Sequence, residues 1–301
     1  MPSPRGTGGA NLARIRALDP VRDCEELYRI HALLEFPWEI TRALELALFR
    51  TYAVPTVGAL LDATQEFALR TQKRYDDTTV LLSVPFEDGL DSATGREALS
   101  RVNRIHARFD ISDDDFRYVL STFVSVPLRF LDRYGWRKVT EAERIATYEY
   151  WAAVGRRMNI RDVPGSLEQM LADGDAYEAA TFAKNDASHR VGVATRELLV
   201  SWFPYVPKRL TRGAVHALLD APALDAMSLP QAPAAGRALV EGGLRARALA
   251  LRVLPARRTP VRISEGRFVK SQSAGRILSN LGPDGAALPG ATEPKATADR
   301  R

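Results

Sequence analysis

Cysteine is nearly absent from this chain: Cys24 is the only one in 301 residues. No internal disulfide can form, which suits a reducing compartment. Its acidic neighbours Asp23, Glu25 and Glu26 disfavour a reactive thiolate, so Cys24 reads as structural. Histidine is scarce as well. His31, His106, His189 and His216 are the only four, and no two stand at a spacing that puts both on one helix face. A multi-histidine metal site would need distant segments to converge. There is no glycine-rich dinucleotide or phosphate loop, no His-Glu-x-x-His, no Cys-x-x-Cys-His and no Gly-x-Ser-x-Gly. No stretch reaches about 18 uncharged apolar residues, the length of a spanning helix. The best, Ala43 to Leu61, is interrupted by Glu45 and Arg50 and contains Pro55. Neither an export signal nor a twin arginine is present near the start, so a cytoplasmic location is expected.

What is present describes a globular protein. Hydrophobic residues make up 46% and charged residues 26%, with both signs mixed. The net charge of +5 is uneven: from Glu241 onward there are twelve Lys and Arg against five Asp and Glu. The rest is nearly neutral, so nucleic acid is not an implied partner. Strand patterning is scarce and helical periodicity recurs, which makes this an all-α chain. Three parts are expected: an N-terminal extension over 1–30, a helical domain over 31–220, and a basic, irregular C-terminal region over 221–301. From Gly282 the composition, rich in Gly, Pro and Ala, reads as a disordered tail.

Local chemistry predicts the helix boundaries. Pro37 opens a helix carrying Leu44, Leu48 and Tyr52, which Pro55 should stop. A second runs from near Thr56 past Phe67 and, with a bend, through Arg74 and Thr78 to Val84, where Pro85 should end it. The next spans about Thr94 to Phe109. Ser112 is an N-cap followed by Asp113, Asp114 and Asp115 at the positive helix end, and Gly135 stops that helix after a kink at Pro127. Thr140 with Glu143, and Ser166 with Gln169, have capping-box spacing. The second opens a short helix, and Asp175 precedes a longer one ending near Trp202. Beyond Pro204, a connection with Pro222, Pro230 and Pro233 leads to a basic helix over 236–253, and Arg257 to Lys270 reads as an extended segment.

One histidine stands out by position. His106 shares a helix face with Leu99, Val102 and Phe109, an apolar stripe directed at the core, with Asn103 on its edge. A buried imidazole left without partners costs about 1–3 kcal/mol. Two readings fit the stripe equally: a core histidine satisfied by a carbonyl or water, or a metal ligand. Arg74 and Thr78 likewise share a face ahead of the apolar run Val80-Leu81-Leu82. They suit a bound oxygen or anion, or else Arg74 pairs with Asp76 or Asp77 and Thr78 merely packs.

The segment Arg101-Val-Asn-Arg-Ile-His106-Ala-Arg-Phe, read with Arg74-x-x-x-Thr78, resembles the MpaB-type oxygenases, a superfamily that includes the latex-clearing rubber oxygenases. The similarity extends from Leu33 to Pro204 through Glu35-Phe-Pro-Trp-Glu, Ala47-Leu-Phe-Arg-Thr-Tyr, Gln72-Lys-Arg-Tyr-Asp-Asp-Thr78, Phe109-Asp-Ile-Ser-Asp-Asp-Asp-Phe and Trp151-Ala-Ala-Val-Gly-Arg-Arg-Met. The resemblance implies a globin-like helical core over the 31–220 domain that binds haem b, with His106 as the iron ligand and Arg74 and Thr78 in the distal pocket. It implies cleavage or oxidation of a C=C bond in a hydrophobic, isoprenoid- or lipid-like substrate by dioxygen, with Phe116, Leu120 and Phe123 as candidate substrate contacts. A haem peroxidase or monooxygenase on the same scaffold, or a non-catalytic haem-binding protein, are the alternatives. Asp77 stands where rubber oxygenases carry a lysine that caps the iron, so an open or water-filled distal side is expected. The basic run from Arg237 to Arg262 is either a solvated helix face or a peripheral contact with anionic membrane.

Overall fold

The computed structural model describes residues 9–270 together with 278, 281 and 282. The tail expected beyond Gly282 lies outside the described residues. Regular structure is helical, and no β-strand element occurs among the described residues. The helices are α1 (Ala10–Ala17), α2 (Cys24–Ile30), α3 (Pro37–Thr51), α4 (Pro55–Ala63), α5 (Glu66–Leu69), α6 (Thr71–Asp88) and α7 (Ala93–His106). They continue as α8 (Asp113–Tyr134), α9 (Glu141–Arg157), α10 (Leu167–Thr181), α11 (Asp186–Ser201), α12 (Lys208–Leu218), α13 (Ala221–Ala226) and α14 (Ala234–Val253).

The caps form as the sequence requires. Ser112 accepts from the Asp115 amide, and Thr140 and Glu143 close a reciprocal capping box at the start of α9. Ser166 accepts from the Gln169 amide, but the helix it opens is not short: α10 runs through Asp175, whose carboxylate pairs with Arg129 at 2.7 Å. The following helix starts later, capped by Asn185. Proline explains two further differences. Pro55 begins α4, where its missing N–H is no loss, and α3 has already ended at Thr51; the two helices meet at a bend of 96°. Pro85 sits inside the last turn of α6, and the stop is Gly89, whose φ of 110° only glycine adopts readily. No single helix among the described residues is long and apolar enough to cross a membrane.

Four pairings organise the domain: α3 on α8, α6 on α7, α4 on α11, and α2 on α9. The main core gathers Tyr28, Phe36, Phe86, Tyr150 and Trp151, all essentially inaccessible. Tyr28 stacks on Tyr150 at 4.4 Å and its hydroxyl accepts from the Trp151 indole at 3.0 Å. A second cluster of Phe49, Tyr52, Phe67 and Phe130 meets α12 and α13. At one edge Arg137 bridges the buried carboxylates of Glu35 and Glu143, and His31 Nδ1 meets Glu143 at 2.9 Å. Burial alone would raise the Glu143 carboxyl, but hydrogen bonds from His31 and Arg137 hold it far below the ordinary range.

The segment after α14 is irregular, with a single 3₁₀ turn at Ile263–Glu265, and it lies along α6. Glu87 accepts from the Ser264 amide, Arg262 pairs with Glu87 and Asp88, Gln72 donates to the Phe268 carbonyl, and Asp76 accepts from the Lys270 amide. Polar groups of α6 therefore hold this segment from one end of the helix to the other.

Candidate functional site

His106 is the last residue of α7, three residues earlier than the expected helix end. The chain turns there, with the Phe109 amide donating to the His106 carbonyl at 3.0 Å. Asn103, one turn back, donates to the Arg157 carbonyl at 2.9 Å and ties the end of α7 to the end of α9. The imidazole lies edge-on to Phe116 of α8, centroids 5.3 Å apart. Its two nitrogens differ. Nδ1 is sealed from solvent without a hydrogen-bond partner, whereas Nε2 is neither sealed nor bonded. Burial, and secondarily the charge of Arg74, push the imidazole down to about 4, so at neutral pH the ring is uncharged and keeps a lone pair.

Arg74 and Thr78 project from one face of α6. Thr78 Oγ1 donates to the Arg74 carbonyl at 2.9 Å, which leaves the hydroxyl oxygen as an acceptor. The Arg74 guanidinium lies over the Phe67 ring at 5.5 Å. It pairs with neither nearby carboxylate. Asp77 is held by Lys73 at 2.7 Å, and Asp76 accepts from Gln72 at 2.7 Å. Among the described residues Arg74 thus makes no ion pair, although it stands in a largely apolar wall.

All three residues line one cavity of about 290 Å³, close to the lower end of ligand-pocket sizes, about 300–1,000 Å³. Its walls are mostly apolar, from Leu48 and Leu60 to Leu81, Val102 and Trp151, and they include Phe116, Leu120 and Phe123, the expected substrate contacts. Polar groups interrupt them at a few points. Asp115, the third acidic residue at the start of α8, accepts from Thr56 and Tyr177 at 2.9 and 2.8 Å and joins α4, α8 and α10. Glu45 and Tyr75 also line the cavity, with the Tyr75 hydroxyl donating to Glu45 at 2.6 Å. Neither stood out in the sequence; Tyr75 follows Arg74 directly, but Glu45 comes from α3 and no spacing rule links them. Asp77 does not leave its side of the cavity bare: it accepts from the Gly282 amide at 2.9 Å and draws that glycine into the wall.

The other histidines lie elsewhere. His31 belongs to the Arg137 cluster and His189 Nδ1 meets the Met227 carbonyl at 2.9 Å. Among the described residues no three potential metal-ligating side chains converge. His106 is the one histidine in the cavity wall.

Residues 30–253 match the family described as ER-bound oxygenase mpaB/B'/rubber oxygenase, catalytic domain. The chain belongs to this family. Over 160 residues it is 32% identical to ER-bound oxygenase mpaB of Penicillium roqueforti (strain FM164), covering 50% of this chain and 54% of that protein. It is also 32% identical, over 135 residues, to ER-bound oxygenase mpaB of Penicillium brevicompactum, covering 43% of this chain and 34% of the relative. The chain therefore spans about half the length of these relatives or less. Within the mpaB/rubber-oxygenase match lie His106, Arg74, Thr78, Glu45 and Tyr75; Gly282, which completes the wall, lies beyond it.

Proposed function

We propose that this chain is a haem b-dependent oxygenase that uses dioxygen to cleave or oxidise a C=C bond of a hydrophobic, isoprenoid- or lipid-like molecule. The observation that carries the reading is the state of His106: a neutral imidazole in a mostly apolar cavity, with an open Nε2 and no second histidine in the wall. A lone imidazole suits a metal whose remaining positions are filled by a macrocycle. His106 would hold the iron, and Arg74 and Thr78 would be the polar contacts within the cavity. When bound, the haem supplies dioxygen activation. The chain's own residues supply the setting. Arg74, permanently charged, stabilises negative charge on oxygen or holds a propionate. Thr78 offers its hydroxyl beside it. Leu120, Phe116 and Phe123 exclude water and bind an alkene by contact alone.

The relatives at 32% identity are named ER-bound oxygenases. On this chain α14 exposes Leu239, Leu249 and Val253 along the basic region that contains Arg245 and Arg252, and we extend the reading to peripheral contact with anionic lipid there. Flotation with anionic and zwitterionic vesicles checks that part separately; equal failure to bind removes it.

The decisive experiment is an absorption spectrum. The purified chain, supplied with haem, is expected to show a Soret band that is lost in His106→Ala while the helical circular dichroism remains. A wild-type chain that stays colourless after haem addition sinks the reading. With haem bound, carbonyl products carrying label from dioxygen identify the oxygenase; turnover only with peroxide identifies a peroxidase instead.

A further inference from the structure

Two tyrosines line the cavity, Tyr52 and Tyr75. Tyr52 makes no hydrogen bond to a carboxylate among the described residues. Tyr75 donates to Glu45 Oε1 at 2.6 Å, and Arg42 donates to the same oxygen at 2.7 Å. The Tyr75 ring also meets Trp202 edge-on, with centroids 4.8 Å apart. Trp202 stacks on Phe268 at 4.4 Å and 13°, and Phe268 touches Phe203 at 5.9 Å. Trp202 is buried, whereas Phe203 is 41% exposed. An unbroken aromatic series thus leads from the cavity wall to the surface.

A phenol yields an electron readily only when its proton can leave at the same time, because an oxidised phenol that keeps its proton is a very strong acid. A base must already be in hydrogen-bond contact. Glu45 meets that need at Tyr75, and its burial raises the carboxyl's affinity for a proton. Tyr52 has no such base among the described residues.

We propose that Tyr75 is an electron donor to the oxidised cofactor of this cavity, with Glu45 as its proton acceptor and Trp202 as the next donor toward the surface. The proposal rests on the haem reading above. Hydrogen peroxide is the oxidant: over a full cycle it takes two electrons, delivered through Tyr75, and two protons, supplied by the oxidised reductant and solvent, and becomes two waters. Each electron lost by the cofactor is replaced from Tyr75, whose O–H bond breaks as the proton passes to Glu45 Oε1, leaving a neutral tyrosyl radical. A one-electron reductant in solution, such as ascorbate, restores the phenol through Trp202 while the proton returns from Glu45. Arg42 lies 5.9 Å over Trp202 and 5.2 Å over Phe268, and its charge disfavours a positive hole on either ring. The radical therefore rests on Tyr75. Drained this way, oxidising equivalents formed without substrate spare Met158 and Trp151, which also line the cavity.

The test is freeze-quench electron paramagnetic resonance of the haem-loaded chain mixed with hydrogen peroxide. Wild type is expected to give a tyrosyl signal. Tyr75→Phe loses it at an unchanged Soret band, Glu45→Gln weakens it, and Tyr52→Phe keeps it. Trp202→Phe keeps the signal but slows its removal by ascorbate, which tests the relay even where Tyr75→Phe fails to fold. A signal that survives in Tyr75→Phe, or no tyrosyl signal beside a normal wild-type Soret band, overturns the proposal alone. Absence of the Soret band overturns the haem reading and the relay with it.

Discussion

Lys73 and Asp77, one turn apart on α6, together hold both backbone groups of one distant residue. Asp77 accepts from the Gly282 amide at 2.9 Å while Lys73 donates to the Gly282 carbonyl at 2.7 Å. The two side chains are themselves paired at 2.7 Å. Gly282 has a φ of 100°, which favours glycine, and a Cβ there would stand 2.5 Å from the terminal methyl of Ile105, which would have to shift. Arg101 adds a hydrogen bond to the Leu281 carbonyl at 2.6 Å, and Leu278 and Leu281 pack between α6 and α7. A carboxylate at position 77 thus closes a wall.

Asp77→Ala is therefore expected to destabilise the chain by about 1–3 kcal/mol, because it removes a buried ion pair and a backbone hydrogen bond while Lys73 can turn to water. The loss should be local. Hydrogen exchange of the Gly282 amide is expected to speed up sharply, with little change in α9. Unaltered exchange at Gly282 would show that the clamp carries no weight.

The depressed His106 imidazole predicts a pH dependence in the cofactor-free chain. Between pH 6.5 and about 4 the unfolded chain binds a proton that the folded chain resists, so stability falls as pH falls through that window. The effect amounts to at most about 3 kcal/mol. Urea unfolding across the window should show a shallower slope in His106→Ala than in wild type. Parallel slopes would mean that the ring is readily protonated in the fold.

Arg137 is expected to matter for folding and not for the cavity. Arg137→Met leaves Glu35 and Glu143 buried with one cation fewer, a change that costs about 3–5 kcal/mol when a buried pair is broken. Chemical denaturation measures the loss. Any haem spectrum should keep its wild-type shape in the fraction that folds.

Gly155 offers a way to resize the cavity. A Cβ there would lie 2.5 Å from Leu120 Cδ2, the mobile end of a side chain in the cavity wall. Gly155→Ala should turn Leu120 inward, leave stability within about 1.5 kcal/mol of wild type, and weaken binding of the bulkiest apolar ligands most. Competition between a short and a long alkene reads this out; equal effects on both would exclude a steric cause.

The sequence by itself determined the elements. Periodicity marked the helices, and Ser112, Thr140 and Ser166 marked their starts, because capping is chemistry between residues two or three apart. It missed the continuation past Pro85 and the run of α10 through Asp175, where helices tolerate residues that more often end or precede them. His106, Arg74 and Thr78 were nameable as candidates, but periodicity left each with an ordinary reading, and family resemblance supplied the functional one. Only the tertiary structure decided that α6 and α7 bring the three to one cavity and that, among the described residues, Arg74 makes no ion pair. It alone joined Tyr75 to Glu45 and Asp77 to Gly282. The reason is physical: helical patterning carries information over a few residues, whereas these contacts arise from helices and a C-terminal segment that meet only when the core buries its apolar faces.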